Sequence, residues 1–108
     1  MEGRTNIIDD FRDIAQNVLP KGSQVWLYGS RARGDNGSES DWDLLILVDK
    51  SSVGTADEDE YSYPFVLAGW QHAAAVNPLL YTYSEWQRRK ASPFYENVEH
   101  DKIMIAHG

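Results

Sequence analysis

Five consecutive apolar residues, Leu44 to Val48, follow directly on Asp41-Trp42-Asp43 and are closed by Asp49. A short apolar run bounded in this way reads as a strand. Because it has no polar residue at alternate positions, neither of its faces can meet water, and the strand must lie inside a sheet covered on both sides. The surrounding chain has to supply those covers.

It does so by alternating helix and strand. In "TNIIDDFRDIAQNVLP", Thr5 or Asn6 caps a helix whose stripe is Ile7, Ile8, Phe11, Ile14, Ala15 and Val18, with Pro20 and Gly22 beyond its end. "SQVWLYG" reads as a buried strand over residues 24 to 28, "ARGDNGSES" as a helical turn and loop, and "DWDLLILVD" as a second strand beside the first. The acidic run Asp57, Glu58, Asp59, Glu60 reads as a solvated loop or first helical turn, where carboxylates suit the helix dipole, and leads into "YPFVLAGWQHAAA". "VNPLLYTYS" is a third strand, with Pro78 placing its start at an edge or irregularity. "SEWQRRKAS" reads as a helix capped by Ser84, and "PFYENVEHDKIMIAHG" as a final helix.

At 108 residues the chain fits one domain, residues 1 to 108. Its net charge of -7 argues against general nucleic-acid binding, which needs clustered Lys and Arg, but leaves room for a small cationic pocket. The absence of cysteine excludes disulfides, thiol catalysis and thiolate metal sites. With no membrane-length apolar stretch and no signal-like start, the expectation is a cytoplasmic protein that does not enter membranes.

The chemistry gathers in residues 28 to 49. Gly29 and Ser30 stand where a strand gives way to a helical turn, and glycine there lets backbone N–H groups and the Ser30 hydroxyl approach phosphate oxygens. Asp41 and Asp43 are two residues apart at the head of a strand, on one face and about 6.6 Å apart along the chain, with Trp42 on the other. Carboxylates that close repel unless a hard divalent cation sits between them and takes its remaining ligands from water and phosphate. Taken singly, each feature has a plain reading: a common turn, and two solvated acids capping a strand. Arg31 and Arg33 either add charge to a triphosphate site or pair with Asp35 and Glu39.

Gly29-Ser30-Arg31-Ala32-Arg33-Gly34, six intervening residues and Asp41-Trp42-Asp43 together resemble the signature of the DNA polymerase beta nucleotidyltransferase superfamily, most of all its minimal MNT or MntA-like members. The resemblance is strong over residues 25 to 49 and elsewhere extends to element order and length. It implies an α/β (α+β) nucleotidyltransferase fold, a small mixed sheet flanked by helices. It further implies transfer of a nucleoside monophosphate from a triphosphate, with ATP the favoured nucleotide, to a hydroxyl acceptor. Mg2+ or Mn2+ would sit at Asp41 and Asp43, the catalytic pair, and Gly29 and Ser30 would contact phosphate, with Arg31 and Arg33 alongside. MNT-like proteins are often paired with a helical HEPN-domain protein and act as its antitoxin, in some cases by adenylylating it.

The chain departs from the superfamily at one point. Active members usually add a third carboxylate from a later strand, yet no acid occurs between Tyr61 and Ser84, and Asn77 is the nearest polar residue in the candidate strand. An amide offers one oxygen to a metal but is no general base near neutral pH. Glu58, Asp59, Glu60 or Glu85 would have to fold back to replace the acid. The alternative is a weak or inactive nucleotide- and partner-binding module. His72, His100 and His107 lack metal-ligand spacing, and Trp70, Trp86, Tyr81 and Tyr83 read as core or interface residues.

Overall fold

The computed structural model describes residues 6–108. Four strands form one mixed sheet in the order β3-β2-β1-β4. Helix α1 (Ile7–Val18) is capped by Asn6, whose side chain accepts from the Asp9 amide; Thr5, the other expected cap, lies outside the described residues. Strand β1 (Gln24–Tyr28) leads through the one-turn helix α2 (Ser30–Arg33) to β2 (Trp42–Val48). Helix α3 (Thr55–Asp57), a π-helical turn (Glu58–Ser62) and α4 (Tyr63–Gln71) follow, so the acidic run is helical, in register with the expected helical start. Strand β3 (Val76–Thr82), α5 (Tyr83–Gln87), α6 (Pro93–Asp101) and β4 (Ile103–His107) complete the chain.

β2 is buried from Leu44 to Val48, as its unbroken apolar run demands. It pairs antiparallel with β1 and parallel with β3. Leu44, Ile46 and Val48 meet Phe11, Ala15, Phe65 and Ala68 from α1 and α4, forming the larger core. Leu45 and Leu47 turn the other way, onto Trp86 and Val98 from α5 and α6, within an aromatic rim that includes Trp26, Tyr28, Tyr81 and Tyr95. Strand alternation thus separates two cores, with Asp43 on the face of the aromatic one.

Two expectations change. The chain after α6 is a strand, not a continued helix: Lys102 leaves helical geometry at φ -65°, ψ 143°, and Ile103–His107 pairs antiparallel with β1. The apolar run Ile103, Met104, Ile105 gains the β1 edge by doing so, which no helix could offer it. Helix α5 is capped by Thr82 rather than Ser84. Thr82 Oγ1 accepts from the Glu85 amide and Glu85 Oε1 accepts from the Thr82 amide, both at 3.0 Å. Thr82 is fully buried, so Thr82→Ala is expected to cost about 1 kcal/mol and lower Tm by about 4 °C or more in a thermal melt.

β3 lies at the sheet edge, the position that tolerates Pro78, which has no N–H to give a further strand. Among the described residues no helix is long and apolar enough to cross a membrane.

Candidate nucleotide site

Strand register assembles the site. Tyr28 pairs with Asp43 across the antiparallel β1–β2 ladder, and Asp43 pairs with Asn77 across the parallel β2–β3 ladder. One row of the sheet therefore carries Tyr28, Asp43 and Asn77 on the face of the aromatic core. Asp41 and Asn77 are exposed and Asp43 half-buried, so the row opens to solvent at the sheet's end.

Gly29 joins this row to α2. Its φ is 76° and its ψ -158°, a conformation that only glycine adopts readily, and a Cβ there would lie 2.6 Å from Asp43 Oδ2. The glycine turn and the aspartate thus occupy adjoining space, and any side chain at position 29 would displace the carboxylate. Ser30 opens α2 directly beyond, its carbonyl accepting from the amides of Gly34 and Asp35 at 2.9 and 3.1 Å.

Asn77 stands where the third carboxylate is expected. Its Nδ2 donates to Asp41 Oδ2 at 2.9 Å and to Asp43 Oδ1 at 3.2 Å. Both acids therefore point at one spot, and the amide relieves the repulsion between them. Turned over, the amide would present Oδ1 to the same spot. Two carboxylates and an amide oxygen suit one hard divalent cation completed by water and phosphate. Among the described residues no group of three or more His, Cys, Asp or Glu converges as a metal site. Asp41, Asp43 and the Asn77 amide oxygen are the groups that would hold a divalent cation here.

The loop acids do not replace the third carboxylate. Glu58 and Glu85 line a cavity of about 710 Å³ with Leu80, Tyr81 and Arg89, by the last residues of β3. That end is roughly 15 Å along the strand from Asn77. Glu85 is engaged in the α5 cap, and Asp57 accepts from Lys50 Nζ at 2.9 Å. Asp59 and Glu60 are exposed on the π-helical turn beside them.

Both arginines have partners within the protein. Arg31 donates to the carbonyls of Ser40 (2.9 Å) and Ser38 (3.2 Å), and its guanidinium lies 4.2 Å from the centre of the Trp42 ring. Trp42 itself faces the larger core and meets Phe11 edge to face. Arg31 thereby fixes the loop that delivers Asp41. Arg33 pairs with Asp35 (3.1 Å) and Asp101 (2.8 Å). The Asp101 hydrogen bond, then that of Asp35, raises the Arg33 pKa, and Arg33 followed by His100 holds the Asp101 carboxyl below its usual range. Arg33 and Asp35 are exposed, so their pair adds little stability; the Asp101 side chain is largely covered, and its bond to Arg33 ties the end of α6 to the glycine turn. His72 bonds Asp10 on the opposite side of the sheet and His100 bonds Asp101, so neither joins the aspartate row. His107 lies exposed in β4.

Tyr28 is the site neighbour that sequence reasoning missed. Burial first, then the charges of Asp43 and Tyr81, push its phenol from 10.0 up to about 12. The folded protein keeps a proton that the unfolded chain releases near pH 10, so this group's support of the fold is complete below that pH and is lost as pH rises toward 12. In an ultraviolet titration, the phenolate signal missing in Tyr28→Phe should be the late one. Asp43→Asn should bring it earlier while leaving it above the ordinary value, because burial is the larger cause.

A four-stranded mixed sheet flanked by helices, with the glycine turn against Asp43 at its end, places the chain in the α/β class. Within that class it belongs to the nucleotidyltransferase-domain family, whose model matches residues 6–103. Two solved structures share the fold. One, a toxin-antitoxin structure with AMP-PNP, superposes with a TM-score of 0.65 at 14% identity, over 94% of this chain and 73% of the other. The second, a candidate nucleotidyltransferase from Sulfolobus solfataricus, has a TM-score of 0.59 at 23% identity, over 91% and 78%. No curated protein matches significantly. The mixed α/β sheet implied by the signature is the one found.

Proposed function

We propose that the protein binds a Mg2+- or Mn2+-complexed nucleoside triphosphate, ATP in the first instance, and transfers its nucleoside monophosphate to a hydroxyl on a partner protein. The reading rests on one observation above all: Gly29 holds a glycine-only conformation with the Asp43 carboxylate against it. A phosphate at the turn would therefore adjoin a cation at the acids. In this reading Asp41 and Asp43 hold the ion, while the Gly29-Ser30 turn and the Ser30 hydroxyl hold phosphate oxygens. The cation supplies charge neutralisation at the transferring phosphate. Arg33 comes to the phosphates only by leaving Asp35 or Asp101, and Arg31 only by leaving the Ser38 and Ser40 carbonyls, so both serve first to fix the turn and the loop.

The acceptor oxygen would attack the α-phosphorus and pyrophosphate would leave, while the acceptor's proton needs a base. Asn77 cannot take it. That specific observation favours a second reading, a nucleotide-dependent binding module in which transfer is slow. The toxin-antitoxin structure with AMP-PNP supports a nucleotide and a protein partner under either reading, and a helical HEPN-type toxin in the cytoplasm is the partner we propose. Incubation with α-labelled ATP, Mg2+ and the product of a neighbouring gene tests them. Label on the partner, lost in Asp41→Ala, establishes transfer; a stable complex without label establishes the binding module; neither label nor complex removes both.

A further inference from the structure

Helix α4 is apolar on both sides. Phe65 and Ala68 turn into the core, whereas Tyr63, Leu67 and Trp70, spaced i, i+4 and i+7, are 48%, 40% and 61% exposed. A helix apolar all round is ordinarily covered all round. The Tyr63 and Trp70 rings meet edge to face with centroids 6.2 Å apart, so the stripe forms one surface. Beside it, α1 and α4 enclose a groove of about 310 Å³, with Ile14, Pro64, Leu67 and Ala68 as its apolar lining and Asp10 and Asp13 on the α1 side.

Charge selects the occupant. No Lys or Arg occurs from residue 51 to residue 87, while Asp57, Glu58, Asp59 and Glu60 precede α4. Helix α1 carries Asp9, Asp10 and Asp13 against Arg12 alone, and the Arg12 side chain is turned to the Ile105 carbonyl and Asp9. Asp10 and Asp57 have His72 and Lys50 as partners, but Asp13 lines the groove, and Asp59 and Glu60 stand exposed one turn before Tyr63, so the face is acidic. A second copy docking here face to face would set acids against acids, and an anionic bilayer would be repelled.

We propose that the Tyr63, Leu67, Trp70 stripe and its groove are a docking surface for a basic amphipathic helix of a partner protein. The partner's apolar side covers the stripe and its Lys or Arg side chains lie against Asp13, Asp59 and Glu60. α4 covers the sheet face opposite Asp43, so docking leaves the nucleotide site open and the inference stands apart from the nucleotide reading.

The probe is a labelled amphipathic leucine-lysine peptide, followed by fluorescence anisotropy against the full chain, with a leucine-glutamate peptide of the same pattern as control. The basic peptide should bind at least ~10-fold tighter than the acidic one at low ionic strength, and more weakly as salt is added. Trp70→Ala and Leu67→Ala should each weaken it ~10-fold or more, with Tm and response to Mg-ATP unchanged. Combined Asp13→Asn, Asp59→Asn and Glu60→Gln should erase the preference between the peptides. Equal binding of the two peptides by the native chain, or basic-peptide binding unaffected by Trp70→Ala with Leu67→Ala, overturns the proposal. So does a dimer in sedimentation that Leu67→Lys dissolves, which assigns the stripe to a second copy. Binding to phosphatidylcholine vesicles that Trp70→Ala abolishes overturns it in favour of a lipid surface.

Discussion

Replacing Asp41 and Asp43 together by asparagine is expected to abolish Mg2+-dependent triphosphate binding, a loss of at least ~100-fold or ~2.7 kcal/mol, without lowering Tm. Both carboxylates accept from the single Asn77 nitrogen, so in the absence of a cation they are crowded like charges held by one amide. Neutralising them removes repulsion and leaves the hydrogen-bonding oxygens in place. A structural pair would behave in the opposite way, losing stability when its charge is removed. Calorimetry with ATP and a thermal melt of the same variant separate the two. A clear fall in Tm with binding intact would make the aspartates a structural feature.

The second large effect concerns Asn77. Asn77→Asp puts a third carboxylate in the row opposite Asp43, where it can bind metal and accept a proton. Nucleotidyl transfer to a partner is expected to rise ~100-fold, the lower range for a general base supplied to a site that lacks one. Without metal, three acids at one spot repel, so the variant should melt below the native protein and recover when Mg2+ is added. Metal-dependent recovery ties the gain to the aspartates rather than to a general change in the fold. An unchanged transfer rate, with Tm indifferent to Mg2+, would show that position 77 is remote from the chemistry.

How much of this was legible in the chain follows from the range of the forces involved. The β1 limits, the apolar run of β2 and the glycine turn are local events, encoded in a few adjacent residues, and Asn6 is one of the two caps that the sequence offers. The edge placement of β3 was legible through Pro78. The Thr82 cap is present as Thr82-x-x-Glu85, but Ser84 is the more favoured capping residue type, and only the hydrogen bonds between Thr82 and Glu85 separate them. Strand β4 was missed because a short apolar run after a helix has no period of its own; its partner, β1, lies some eighty residues earlier. The same non-local register brings Asn77 opposite Asp43 and Tyr28 beside it. Sequence named Asn77 as the nearest polar residue but could not show that one amide would bridge both acids. Nor could it show that Arg31 would stack on Trp42, or that the acidic run would lie at the far end of β3.

If the glycine turn and the two aspartates form one triphosphate site, nucleotide binding depends on a divalent cation. Isothermal titration of the native chain with ATP, in Mg2+ and again in EDTA, tests it most directly. Saturable binding in Mg2+ that disappears in EDTA is expected; no binding in Mg2+, or equal binding in EDTA, would overturn that dependence.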